Sequence, residues 1–131
     1  MKEIKAVFFD VDGTLVSFAT HQVPESTKRA IRELRAKGVK VFVATGRMLS
    51  MLGVLNDIEF DGVITYNGGC CVDASGNEIF SRPIPVKELE KLNATLKNDH
   101  FAVSYMRKDG MYVNELSKIV LDVANHVNVE P

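Results

Sequence analysis

The segment FFDVDGTLVSF, residues 8–18, joins an apolar run to two aspartates, a glycine and a threonine. In an extended strand, residues i and i+2 point to the same side, so Asp10 and Asp12 are predicted to converge on one small volume. Two carboxylates that close repel each other. Either one is protonated, or a cation lies between them, or the electrostatic cost supports a function.

Strand and helix signals alternate on either side of this segment. The apolar run from Ile4 to Phe9 predicts a strand buried on both faces of a parallel sheet. HQVPESTKRAIRELRAKG, residues 21–38, predicts an amphipathic helix with Pro24 as its first residue and Gly38 as its stop. The segments that follow predict a strand at 39–44, a helix at 47–56 and a strand at 63–66. This order predicts right-handed parallel crossovers.

After Gly69 the sequence changes character. CCVDASGNEIFSRPIP, residues 70–85, predicts an antiparallel hairpin followed by a stiff joint at Pro83 and Pro85. Residues 86–99 predict a helix with one buried stripe, formed by Val86, Leu89, Leu92 and Leu96. FAVSYM and MYVNEL predict two strands, and a last helix is expected around 117–126. We therefore predict a core of residues 1–82 and a different unit of residues 83–131.

Composition limits the setting. A chain of 131 residues with a formal net charge of −1 is typical of one globular domain. Mixed charges give no electrostatic footprint for nucleic acid or an anionic membrane, and no apolar stretch is long enough to span a bilayer. The cytoplasm is the expected compartment.

The cysteines and histidines do not predict a structural metal site or a disulfide. Cys70 and Cys71 are adjacent and are expected to face opposite sides of a strand. The three histidines, His21, His100 and His126, are scattered along the chain. A zinc site is therefore not expected.

Polar residues follow each of the three predicted parallel strands. Ligands of open parallel sheets bind outside the carboxyl ends of the strands. Each triplet alone would be an ordinary turn, but three together predict a common site. Its candidate residues are Asp10, Asp12, Thr45, Gly46, Arg47 and Asn67.

These motifs resemble a known family. FFDVDGTL is similar to the first motif of the haloacid dehalogenase-like (HAD-like) phosphotransferases, and VFVATGR, residues 41–47, is similar to their second. GVITYNGG, residues 62–69, with the hairpin and proline joint that follow, resembles the Cof-type sugar-phosphate phosphatases with a type IIB cap. DGTLVSF and the late HVNV, residues 126–129, resemble hexose-phosphate phosphatases of this type. The resemblance implies an α/β fold, with a Rossmann-like parallel sheet and an inserted α/β cap.

The resemblance also implies roles for the candidate residues. Asp10 would be a nucleophile that forms an aspartyl phosphate, and Asp12 would be the general acid and then the base. Mg²⁺ would be held by the carboxylate of Asp10 and the backbone carbonyl of Asp12. Thr45 would hydrogen-bond a phosphoryl oxygen, and amides around Asp12 and Gly13 would add donors. The partner would be a small phosphorylated molecule.

Several roles stay open at this point. Arg47 and Gly46 are assigned with Thr45 to substrate or phosphate binding, but Arg47 could equally be solvated. Asn67 either stabilises its turn or positions substrate, and Thr14 is assigned to its turn. His21 is expected to be exposed in a mobile flap.

The sequence lacks two motifs of the family. Members carry a later lysine and an acidic Gly-Asp-x-x-x-Asp pattern, whereas Lys108 and Lys118 lie in predicted cap sequence. The chain is therefore interpreted as the N-terminal part of a protein about twice as long, with core and cap both incomplete.

Four functional hypotheses follow. The first is an Mg²⁺-dependent phosphatase acting on sugar phosphates. A phosphomutase is its rival within the class. A signalling receiver would spread its acidic cluster over separate strands, which disagrees with the DxDGT spacing. The fourth is a non-catalytic regulatory or interaction module, and the oligomeric state stays open.

Overall fold

A computed structural model describes residues 3–99 and 101–126 of the chain. His100 and residues 127–131, including most of the HVNV segment, lie outside the described residues. The chain forms two compact units, of which the first ends at Ser81 and the second begins at Arg82. Each unit is described by itself.

The first unit is built on a five-stranded sheet with the order β1-β2-β3-β4-β5. The strands β1, β2 and β3 are parallel to one another, whereas β4 is antiparallel to both of its neighbours, β3 and β5. This arrangement confirms the predicted parallel crossovers and the predicted hairpin. The strands are β1 (Ala6–Phe9), β2 (Lys40–Ala44), β3 (Gly62–Thr65), β4 (Cys70–Asp73) and β5 (Glu78–Ser81).

The hairpin places the two cysteines as expected. Cys70 is buried and Cys71 is half-buried, and both are free thiols. The turn between β4 and β5 is held by Asp73, whose carboxylate accepts the backbone amides of Ser75 and Asn77 at 2.8 and 2.9 Å.

The helix α1 (Glu25–Ala36) follows β1. Pro24 caps it and is not its first residue, so the predicted start is one residue early. The helix ends where Gly38 takes φ +80°, a left-handed conformation that suits glycine. Ile31 is the fully buried residue of its inner face.

An apolar cluster of described residues holds the first unit together. In β2, Val41 and Val43 are fully buried because alternate side chains of a strand share one face. Ile31 packs in the same cluster, so α1 covers this face of the sheet. Each such side chain contributes about 1.5–3 kcal/mol by leaving water. The other members are Val11, Leu15, Val16, Val23, Leu52, Leu55 and Ile58.

The prediction that β1 is buried on both faces is wrong. The strand is the edge of the described sheet and pairs only with β2. Phe8 is 56% exposed, and its ring stacks on that of its strand partner Phe42 with centroids 4.8 Å apart. Both rings lie on the face opposite to Val41 and Val43, which α1 does not cover. Apolar composition alone did not distinguish an edge strand from a central one.

The predicted helix at 47–56 is also wrong. The segment forms two short 3₁₀ turns, Leu49–Met51 and Gly53–Leu55. Gly53 is costly in a helix interior by about 1 kcal/mol relative to alanine, which disfavours a continuous helix here. The two turns still bury Leu52 and Leu55 in the apolar cluster.

Asp61 ties the entrance of β3 to β2 and α1. Its carboxylate accepts the backbone amide of Val41 at 2.9 Å and the ammonium of Lys40 at 2.9 Å. Arg35 Nε lies 3.4 Å from the same carboxylate. The hydrogen bond from the amide of Val41, and then that from the ammonium of Lys40, hold the pKa of Asp61 below its ordinary value of 3.8.

The second unit contains two helices and a two-stranded antiparallel sheet, in the predicted order. Its elements are α2 (Val86–Leu96), β6 (Ser104–Arg107), β7 (Gly110–Val113) and α3 (Lys118–His126). The predicted stripe of α2 is only half-buried at Leu89, Leu92 and Leu96, and Val86 is exposed. Among the described residues, no helix combines the length and the apolar character needed to cross a bilayer.

Candidate active site

The loop after β1 is held by apolar anchors. Val11 and Leu15 are buried almost completely, and the amide of Val16 donates to the carbonyl of Val11 at 2.8 Å. Gly13 has φ +74°, and a Cβ atom there would lie 2.7 Å from the ring of Phe18. Burial of Val11 thus fixes the backbone between the two aspartates.

Asp10 presents its carboxylate at the surface. Its Oδ1 accepts the backbone amide of Val11 at 2.8 Å, and the residue is exposed. Within residues 3–99 and 101–126, Asp10 forms no ion pair. Its negative charge is therefore not neutralised by a described side chain.

Asp12 has a different environment, because the guanidinium of Arg47 contacts both of its oxygens. Arg47 Nη2 donates to Oδ1 at 2.7 Å and Nε donates to Oδ2 at 3.0 Å. The side chains are 13% and 28% exposed for Arg47 and Asp12. Among the described side chains, Arg47 thus engages Asp12 and not Asp10, so the two aspartates have different partners.

Thr45 is a buried residue at the start of the loop after β2. It is 5% exposed, and its Oγ1 accepts the backbone amide of Arg47 at 3.1 Å. A hydroxyl that accepts one hydrogen bond still carries a proton that it can donate. The predicted donation to a phosphoryl oxygen is therefore chemically compatible with this contact.

The loop after β3 is strained. Tyr66 and Asn67 have φ values of +52° and +53°, followed by Gly68 at +95°. A left-handed conformation costs an ordinary residue about 1–2 kcal/mol, less for asparagine. Backbone strain of this kind is concentrated at functional sites. The hydroxyl of Thr65 donates to the carbonyl of Cys70 at 3.2 Å and spans the loop.

Backbone bonds join the second and third loops. The amide of Tyr66 donates to the carbonyl of Arg47 at 3.2 Å, and that of Asn67 donates to the carbonyl of Thr45 at 3.0 Å. A Cβ atom on Gly46 would lie 3.1 Å from Oδ1 of Asn67. The two loops therefore form one connected surface.

The structure brings most of the predicted residues together. Contacts join Asp12 to Arg47, and they join Gly46 and Thr45 to Asn67. Asp10 lies at the end of the same parallel strands but makes none of these contacts. For Arg47 both substrate contact and a solvated side chain were left open, and in this structure its side chain is 13% exposed and contacts Asp12.

Three smaller expectations can be compared with the structure. The amide of Gly13 was expected to face a ligand, but it donates to the carbonyl of Val16 at 2.9 Å. His21 is exposed, as expected for a solvent-facing residue. It has φ +52°, and its backbone amide donates to the carbonyl of Ser17 at 2.8 Å. Thr14 is exposed, and its amide donates to Val11 within the turn.

Three contributors to the site were missed by sequence reasoning. The carbonyl of Met51 accepts from Arg47 Nη1 at 3.0 Å, and a backbone carbonyl leaves no sequence signal. Thr65 could have been noticed as a polar residue within an apolar strand. Phe18 was visible as an aromatic residue close to Gly13, but nothing in the sequence indicated the contact.

A metal would find few side-chain ligands here. Within the described residues there is no group of three or more histidines, cysteines, aspartates or glutamates able to hold an ion. The carboxylate of Asp10 and the carbonyl of Asp12 are oxygen donors, whereas the Asp12 carboxylate is occupied by Arg47. Such a set suits only a hard cation that keeps several water ligands.

The chain is similar to known phosphatases over most of its length. HMP-PP phosphatase of Yersinia pestis (strain Pestoides F) is 32% identical over 108 residues, which is 81% of this chain and 39% of that protein. A phosphatase of the HAD enzyme superfamily from Bacteroides thetaiotaomicron superposes with a TM-score of 0.86 at 36% identity, over 96% of this chain and 47% of that one.

A solved HAD subclass IIB sugar phosphatase also superposes with a TM-score of 0.86, at 32% identity, over 97% of this chain and 50% of that one. The chain thus spans half or less of the length of these three relatives. The family model of the haloacid dehalogenase-like hydrolases matches residues 7–130. The chain therefore belongs to the haloacid dehalogenase-like hydrolase family.

Proposed function

We propose that the protein containing this chain is a phosphatase that hydrolyses small phosphorylated metabolites, sugar phosphates among them. The observation that carries the proposal is the unequal environment of the two aspartates. Asp10 is exposed without an ion pair among the described residues, and Asp12 is engaged by Arg47. Asp10 is thereby available for attack, and Asp12 is held in a fixed orientation, from which it would exchange protons.

In the first step, a carboxylate oxygen of Asp10 attacks phosphorus and the bond from phosphorus to the leaving oxygen breaks. Asp12 gives its proton to that oxygen, so the substrate leaves as a neutral alcohol. The product on the enzyme is an aspartyl phosphate on Asp10.

In the second step, Asp12 takes a proton from water and the resulting hydroxide attacks the phosphorus of the aspartyl phosphate. The bond between phosphorus and the Asp10 oxygen breaks. Inorganic phosphate leaves, Asp10 is again a carboxylate, and Asp12 again carries a proton for the next cycle.

Thr45 and the joined loops provide the phosphate side of the proposed site. The hydroxyl proton of Thr45 can be donated to a phosphoryl oxygen while its oxygen accepts from Arg47. Gly46 and the amide of Asn67 lie beside it on the same surface. Preorganised donors of this type stabilise charge as it develops on phosphorus.

Mg²⁺ is the cofactor that we propose. The Asp10 carboxylate and the Asp12 carbonyl would hold it, and hydrated Mg²⁺ bound through one or two carboxylates is common where a substrate phosphate completes the shell. When bound, it supplies positive charge that offsets the charge of the phosphoryl group.

The substrate class rests on the relatives. Two of them are named for phosphorylated small molecules, as an HMP-PP phosphatase and a sugar phosphatase. The second unit, Arg82–Pro131, is proposed as the start of a cap domain. A cytoplasmic location is proposed with it.

The test is hydrolysis of p-nitrophenyl phosphate with Mg²⁺ by the full product of the reading frame that contains this chain. The Asp10→Asn variant should lose activity at least about 1,000-fold, because it lacks the nucleophile. Asp57→Asn changes an exposed aspartate on the α1 side and should keep wild-type activity. Full activity of Asp10→Asn would overturn the proposal.

A further inference from the structure

We propose that Arg47 is a positioning residue for Asp12 and not a ligand of the substrate phosphate. The inference rests on the proposed phosphatase function and assigns to Arg47 a different task from the one its place beside Thr45 suggests. It concerns how the proton-exchanging carboxylate is held in one orientation.

Two hydrogen bonds join the side chains of Arg47 and Asp12. Two nitrogens on one edge of the guanidinium, Nε and Nη2, meet the two oxygens of Asp12 at 3.0 and 2.7 Å. Two parallel hydrogen bonds fix the plane of the carboxylate as well as its distance. A lysine cannot form this fork, because its ammonium acts as a single point charge.

The guanidinium of Arg47 also forms a hydrogen bond that does not involve Asp12. Its Nη1 donates to the carbonyl of Met51 at 3.0 Å, within the first 3₁₀ turn. Its backbone amide donates to Oγ1 of Thr45 at 3.1 Å, and its carbonyl accepts from Tyr66 at 3.2 Å. The guanidinium thus lies between Asp12 and Met51, and its backbone is held by Thr45 of the same loop and by Tyr66 of the loop after β3.

Because the Arg47 side chain is largely buried, breaking its hydrogen bonds to Asp12 is costly. The Arg47 side chain is 13% exposed. To reach a phosphate, the guanidinium would have to break both bonds to Asp12 and leave a partly buried carboxylate without its partner. Binding of Arg47 to phosphate would therefore come at the loss of its pair with Asp12.

The pairing has a direct consequence for the proton exchange. Each Asp12 oxygen uses one lone pair on Arg47 and keeps another direction in which it can exchange a proton. With the carboxylate plane fixed, that direction is fixed too. Misplacement of a catalytic group by about 1 Å can cost about 100-fold in rate.

The test compares two substrates that differ in their need for a general acid. p-Nitrophenolate leaves without protonation, whereas the phenolate of phenyl phosphate is a stronger base and leaves poorly without it. kcat/KM reports the steps up to departure of the leaving group. Arg47→Ala should lower kcat/KM for phenyl phosphate about 100-fold, and for p-nitrophenyl phosphate less than about threefold.

Three further variants sharpen the test. Arg47→Lys should restore little of the loss on phenyl phosphate, because lysine cannot form the fork, and it serves if Arg47→Ala folds poorly. On an Asp12→Asn background, Arg47→Ala should change kcat/KM by less than about twofold, as expected of a residue that acts through Asp12. Arg35→Ala removes an arginine that also pairs with carboxylates, on the α1 side, and should behave as wild type with both substrates.

Equal losses on both substrates, with weaker inhibition by inorganic phosphate and recovery in Arg47→Lys, would overturn the inference and make Arg47 a phosphate ligand. Equal losses with unchanged inhibition by phosphate would also overturn it and make the role structural. A wild-type protein with no activity on either substrate would instead overturn the proposed function.

Discussion

The side chain of Asn67 lies directly against Gly46, at the point where the loops after β2 and β3 meet. A Cβ atom on Gly46 would be 3.1 Å from Oδ1 and 3.2 Å from Nδ2 of Asn67. Since the Asn67 backbone is also bonded to the carbonyl of Thr45, the amide has little freedom to move away.

We expect Gly46→Ala to disturb the proposed site more than the fold. The added methyl group must displace the Asn67 amide by a few tenths of an ångström, so kcat/KM should fall about 3–10-fold while stability changes by less than about 1 kcal/mol. Gly53→Ala is the matched control, because its nearest atom is 3.9 Å away. Equal activity of the two variants would show that this contact does not matter for the site.

Asn67→Gly separates the two roles that the sequence leaves open for this residue. Glycine accepts φ +53° without strain, so thermal stability should be unchanged or higher by up to about 1 kcal/mol. If the amide positions substrate, kcat/KM falls roughly tenfold in the same protein. A variant that is less stable and fully active would assign Asn67 to the turn alone.

We expect Asp61 to stabilise the folded chain by an amount that depends on pH. Its folded pKa lies below the ordinary value of 3.8, so the folded state favours the ionised carboxylate. The contribution is present at pH values above the unfolded pKa and is lost as the pH falls through the folded pKa. Asp61→Asn should therefore cost about 1–2 kcal/mol at neutral pH.

Urea unfolding at a series of pH values checks this prediction. The difference between wild type and Asp61→Asn should be constant above about pH 5 and should shrink below about pH 4. A difference independent of pH would mean that the charge of Asp61 is not what stabilises the fold. Glu59→Gln is the control, since that residue is exposed and also pairs with Arg35.

Much of the fold could be predicted because local signals agreed with it. The parallel strands, the helix after Pro24 and the turn around Gly76 all follow from periodicity and turn residues. The exposed edge at Phe8 could not be predicted, because burial depends on which strands become neighbours. The 3₁₀ turns around Gly53 show the weakness of helix signals in short apolar segments.

The residues of the candidate site could be predicted better than their contacts. Strand ends indicated Asp12, Thr45 and Arg47, since parallel strands end at one edge of a sheet. The fork between Arg47 and Asp12 joins residues 35 positions apart and depends on side-chain rotamers. No spacing in the sequence encodes it.

The most direct test of the division of labour between the aspartates is the first turnover of p-nitrophenyl phosphate in the Asp12→Asn variant of the full-length protein. We expect a rapid burst of about one p-nitrophenolate per protein followed by a slow phase, because Asp10 is phosphorylated while water is not activated. Mass spectrometry of the acid-quenched protein should place the phosphoryl group on Asp10. A phosphoryl group on another residue, or a burst that survives Asp10→Asn, would show that Asp10 is not the nucleophile.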